Sequence, residues 1–63
     1  MSIKVGRATL RFTRHGNLYM HGDVCAVRKG KAWEATIWDG DCYAVAEAPT
    51  LAGAYRAVAR AFG

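Results

Sequence analysis

Four side chains of metal-binding or nucleophilic type stand in the order His-x5-His-x3-Cys-x16-Cys, at His15, His21, Cys25 and Cys42. A structural zinc site is built from closely spaced ligand pairs, and this order offers no pair on a knuckle. The two cysteines read instead as small hydrophobes of the fold. A Cys–His nucleophile would need a third, orienting group and a pocket, and no motif fixes either. Glu34, Asp41 and Glu47 have the right chemistry for acid–base work, yet acids on strands usually stand in water. The glycines fall singly at 6, 16, 22, 30, 40, 53 and 63, so no phosphate-cradling loop is present. No catalysis, metal or cofactor is expected.

Binding is what remains. The net charge of +4 is unevenly placed: residues 1–31 carry seven basic side chains against one acid, residues 32–63 two against four. Such asymmetry predicts a basic patch for an anionic partner. Nucleic acid would meet Arg7, Arg11, Arg14, Arg28, Lys29 and Lys31, through phosphates more than base edges. The other candidate surface is apolar, around Trp38, Tyr43 and Val45. Aromatics on neighbouring strands can stack on bases, but nearby acids oppose phosphate, so a protein partner or a second copy suits this surface better.

The elements that must position these groups follow from periodicity. Ala8, Leu10 and Phe12 alternate with Arg7, Thr9, Arg11 and Thr13, a strand with one apolar and one basic face. Ile3 and Val5 continue it on the other parity, which puts Gly6 at a bulge. His15-Gly16-Asn17 reads as a turn, Leu18 to Arg28 as an extended stretch broken near Gly22-Asp23, and Lys29-Gly30 as a tight turn. The strongest signal is Asp39-Gly40 between two alternating runs, which predicts a two-residue type I′ hairpin. That register puts Trp33, Ala35, Ile37, Cys42, Ala44, Ala46 and Ala48 on one face. Glu34, Thr36, Trp38, Asp41, Tyr43, Val45 and Glu47 fall on the other, with Trp38 facing Asp41, Thr36 facing Tyr43 and Ile37 facing Cys42; a two-residue turn at Lys29-Gly30 adds Cys25, Val27 and Ala32 to it. No internal repeat or linker is evident.

After Pro49, Thr50 has the chemistry of a helix N-cap. Leu51, Ala54, Tyr55, Val58, Ala61 and Phe62 then recur at helical spacing as one apolar stripe, with Arg56 and Arg60 opposite and Gly63 last. The fold class expected is α+β: an antiparallel sheet of three or four strands with one C-terminal helix packed on its alanine-rich face. The other sheet face is left for the Ile3–Phe12 strand, a second copy or a foreign protein.

Sixty-three residues make a single small domain that buries only about 60% of its unfolded surface. The 52% hydrophobic content favours a folded chain. No run of about 18 apolar residues exists to span a membrane, and residues 1–30 lack a signal-peptide core. The expected location is the cytoplasm, with no membrane partner.

Two resemblances add to this reading. Residues 26–63 resemble the ethylene-response-factor type of DNA-binding domain and its integrase relatives, through Ala26-Val27-Arg28, Gly30-Lys31, Trp33, Ala35-x-Ile37-x-Asp39 and the helix from Thr50. The resemblance implies three antiparallel strands, one helix, and DNA reading by the open sheet face. Here that face carries Glu34, Thr36 and Trp38, where the family has basic groups. Residues 38–53 are similar to HicB-type antitoxins in Asp39-Gly40, Tyr43-x-Val45 and Pro49-x-Leu51-x-Gly53. This likeness implies a protein partner. The expectation is therefore a small nucleic-acid-binding module acting through its basic half. Its alternative is a protein-interaction module, such as a phage-type inhibitor or antitoxin, docking or dimerising through Trp38, Tyr43 and Val45.

Overall fold

The computed structural model describes residues 1–62; Gly63 and the side chain of Phe62, the last member of the expected stripe, lie outside the described residues. Seven strands precede one helix: β1 (Ser2–Val5), β2 (Ala8–Arg11), β3 (Thr13–His15), β4 (Leu18–His21), β5 (Val24–Lys29), β6 (Ala32–Asp39), β7 (Cys42–Ala48) and α1 (Leu51–Phe62). β1 and β2 form a two-stranded sheet, and β3 to β7 a five-stranded sheet in chain order. The α+β class holds, with more strands than three or four.

The extra strands come from glycine turns. Five two-residue loops close the hairpins at Gly6-Arg7, Gly16-Asn17, Gly22-Asp23, Gly30-Lys31 and Gly40-Asp41. In each the glycine comes first, with φ between 58° and 64°, and no other described residue type has positive φ. A positive φ at the first central position alone is the requirement of a type II′ turn, whereas type I′ needs it at both. Gly6 therefore turns the chain and is no bulge, and Arg7 sits in that loop, off the expected strand face. Gly22 likewise splits Leu18–Arg28 into two paired strands.

The turn expected at Asp39-Gly40 and that at Lys29-Gly30 each move one residue along. Asp39 pairs with Cys42, Trp38 with Tyr43 and Thr36 with Val45, where the expected partners were Asp41 for Trp38 and Tyr43 for Thr36. Every strand side chain nevertheless keeps its face; Asp41, expected opposite Trp38, moves into the loop. Any two-residue loop pairs an odd-numbered with an even-numbered position, so sliding it changes partners without changing sides.

The core lies between α1 and one face of the five-stranded sheet. Phe12, Val24, Ala26, Ala35, Leu51, Ala54 and Val58 are buried, and Trp33, Ile37, Ala44, Ala46 and Ala48 pack around them half-buried. The alanines let the helix approach closely: a Cβ on Gly53 would sit 3.2 Å from Ala48 Cβ. Thr50 caps the helix as expected, its Oγ1 accepting from the Gly53 amide at 3.0 Å. Ala61, assigned to the apolar stripe, is exposed at the last turn.

Phe12 links the two sheets. Its ring lies 5.4 Å from that of His21 and edge-on to Tyr55 at 6.1 Å. Phe12 and Met1 exchange backbone hydrogen bonds, which extends the first hairpin by one pair. Ile3 and Leu10 pack against the core and β1 touches α1. The N-terminal hairpin thus shares the helix side of the molecule and leaves the opposite sheet face bare.

Candidate functional site

The strand register settles which candidate residues meet. Thr13, His15, Leu18, Met20, Cys25, Val27, Lys29, Glu34, Thr36, Trp38, Tyr43, Val45 and Glu47 share the open face of the five-stranded sheet. Trp38, Tyr43 and Val45 are each more than half exposed, and Leu18 and Met20 about 40% and 38%. Trp38 and Tyr43 are direct cross-strand partners, their ring centroids 4.9 Å apart and 35° from parallel. Such a pair supports the hairpin, but its outer side faces solvent.

Charge on this face is low. Lys29 Nζ donates to Glu34 Oε2 at 3.1 Å, and Glu47 stands directly across from Glu34. Lys29 is thereby removed from the expected basic patch: it lies on the apolar side and is paired with an acid. Thr36, an open-face neighbour of Trp38, completes a surface with little to attract phosphate.

The helix side gathers two other candidates. Arg14 and Arg28 line one depression of about 360 Å³, together with Tyr19, Trp33, Asn17, Met1 and Val27. Arg14 Nε donates to the Gly16 carbonyl at 2.9 Å and Arg28 Nε to the Gly30 carbonyl at 3.2 Å. Both arginines stand opposite an aromatic residue, Arg14 across from Tyr19 and Arg28 across from Trp33. The Arg14 guanidinium lies 5.9 Å from the Tyr19 ring centre, within cation–π range. Tyr19 and Trp33 meet edge to face at 5.4 Å.

The two hairpins therefore repeat one device, Arg-x-Gly-x-x-aromatic, at Arg14–Tyr19 and Arg28–Trp33. The sequence does contain a short repeat, contrary to expectation. Its signal is an Arg and a Gly two apart followed by a ring, which hydrophobic periodicity does not detect. The remaining basic candidates are dispersed. Arg7 is in the β1–β2 loop, Arg11 is exposed on β2 beside Ser2, and Lys31 is in the β5–β6 loop. A wider, shallower groove of about 610 Å³ runs between Val5 and the outer side of α1 near Arg56 and Arg60.

The metal-type residues are divided between the faces. Cys25 and His15 lie on the open side, Cys42 and His21 on the helix side, and both cysteines are free. His21 Nδ1–H donates to the Arg11 carbonyl at 2.9 Å, tying the junction between the sheets. No three His, Cys, Asp or Glu side chains cluster among the described residues. Nor is any described helix long and apolar enough to cross a membrane.

No family model, curated protein or solved structure matches this chain.

Proposed function

We propose that this protein is a non-enzymatic interaction module that docks protein on the open face of its five-stranded sheet. The observation that carries the reading is the one-sided exposure of Leu18, Met20, Trp38, Tyr43 and Val45, all on the face that no described segment of the chain covers. Contiguous exposed apolar surface on a small domain marks an interaction site. Aromatic and methionine side chains at the centre, with Lys29, Glu34 and Glu47 around them, match the composition of an interface core and rim. A second copy of the chain is the occupant favoured, because the face is close to neutral and makes no charge demand on its partner. Two such sheets can stack as a sandwich about 10 Å apart under two-fold symmetry.

Sedimentation equilibrium across a wide concentration range tests this. The wild type is expected to dimerise, and Trp38→Asp to give a folded monomer with unchanged circular dichroism. A wild type that stays monomeric at every concentration, with Trp38 open to an aqueous quencher, would overturn self-association. Nucleic-acid binding, the reading that the charge asymmetry favours, has one supporting observation of its own: the convergence of Arg14 and Arg28.

A further inference from the structure

We propose that the depression between the β3–β4 and β5–β6 hairpins binds single-stranded nucleic acid, with a phosphate held by Arg14 and Arg28 and a base against Tyr19 and Trp33. This inference is separate from docking on the open face: Arg14, Tyr19, Arg28 and Trp33 all have the helix-side parity, and Val27 is the one strand residue of the lining that belongs to the open face.

Three observations support it. First, both guanidiniums are held in place by their own turns, Nε to the Gly16 and Gly30 carbonyls. A guanidinium has five N–H donors, so each keeps four, and no other hydrogen bond of either forms among the described residues. Neither arginine is in an ion pair among those residues, and no acidic side chain lines the depression. Pre-oriented forks without a counter-ion suit a phosphate, which they meet with two parallel N–H···O bonds.

Second, the wall beside these forks is aromatic. Tyr19 and Trp33 are half-buried and fixed against the core, so their rings stay put when a ligand arrives. Rings beside a basic groove are how sequence-tolerant single-strand binders take up bases, because every base has a π-face. Third, a depression of about 360 Å³ is in the size range of small-ligand clefts, roughly 300–1,000 Å³. It is a small concavity walled by two rings, whereas duplex bases are already stacked and reach a protein only at their edges. The strand is therefore single, and its contacts are phosphate plus ring face.

The test is fluorescence anisotropy of a labelled mixed-sequence octanucleotide, as DNA and as RNA, titrated with the full chain at several salt concentrations. Binding at low salt is expected. Arg14→Ala with Arg28→Ala should weaken it at least tenfold and reduce the salt slope by about 0.7, the value for one phosphate contact on a single strand. Arg7→Ala with Arg11→Ala should change affinity less than twofold. Should the alanine pair lose its circular dichroism signal, Arg14→Lys with Arg28→Lys keeps the charge but removes the forks, and at least fivefold weakening is expected. Unlabelled octanucleotide should compete far better than a mononucleotide, and a mononucleotide better than inorganic phosphate. The proposal fails if no oligonucleotide binds at low salt or if the Arg14/Arg28 variants bind like wild type. It also fails if duplex binds as tightly as single strand, or if polyglutamate competes as well as the unlabelled strand.

Discussion

The two faces of the five-stranded sheet are made from the same strands, yet they have opposite fates. On the helix side the core-facing positions of β5, β6 and β7 are Val24, Ala26, Ala35, Ile37, Ala44, Ala46 and Ala48, small or branched residues that allow α1 to settle closely, with Trp33, which meets Tyr19, the one large ring there. On the open side the same strands carry Cys25, Val27, Thr36, Trp38, Tyr43 and Val45, most of them bulkier and with no described segment of this chain above them. Residue size thus decides which face takes the helix: close helix–sheet packing needs small side chains beneath the axis. Large rings left outside are free to meet another molecule. Hydrophobic character alone does not separate core from interface here.

Phe12→Ala gives the sharpest way to break the comparison. The ring is almost wholly buried where the two sheets and helix meet, so its loss should cost about 3–5 kcal/mol. That is a large share of what a domain this small has, and a chemical denaturation curve should show partial or complete unfolding in buffer. Val45→Ala on the open face should cost well under about 1 kcal/mol in the monomer. Equal losses at the two sites would mean that the open face is part of the core.

The turns offer an intermediate effect. Gly40→Ala forces a Cβ onto a residue at φ 63°, at about 1–2 kcal/mol. Nothing lies within 4 Å of that Cβ, so the whole cost is conformational and should appear as a lower melting temperature without altered packing signals. The smallest effect belongs to the rim. Glu47→Gln removes the like-charge partner directly across from Glu34, and should stabilise the protein by a few tenths of a kcal/mol. That gain should shrink as salt screens the pair.

Much of this architecture is legible in the residues, and what is missed has identifiable causes. Alternation from Trp33 to Ala48 assigns both faces correctly because a loop of two residues fixes side-chain parity even when its position is off by one. The Thr50 cap and the Leu51, Ala54 and Val58 stripe follow from local chemistry. The turns at His15-Gly16-Asn17, Lys29-Gly30 and Asp39-Gly40 are legible too, the last two one residue early, whereas Gly6-Arg7 reads as a bulge and Gly22-Asp23 as a mere break unless the first-position glycine is recognised as a II′ signature. Phe12 looks like one more alternating strand residue, and only tertiary packing makes it the hub. The convergence of Arg14 with Arg28 is hidden because strands β3 and β5 are separated by β4, and charge counting has no access to that arrangement. It also counts Lys29 as free although Glu34 neutralises it.

Strand order equal to chain order has a consequence for how quickly the fold appears. Each strand from β4 to β7 pairs with the one just made, across a loop of two residues, so loop-closure entropy is small at every step. Hairpins of this kind form within about 1–10 µs. The contact of β1 with α1 is different, because it joins the first element to the last. Until the helix exists, Phe12 lacks Tyr55 and the first hairpin has no floor to rest on. Folding speed should therefore depend on the meeting of the chain's two ends, not on zipping of the sheet. Variants at Ile3 or Leu51 should slow refolding more than variants at any of the five turns.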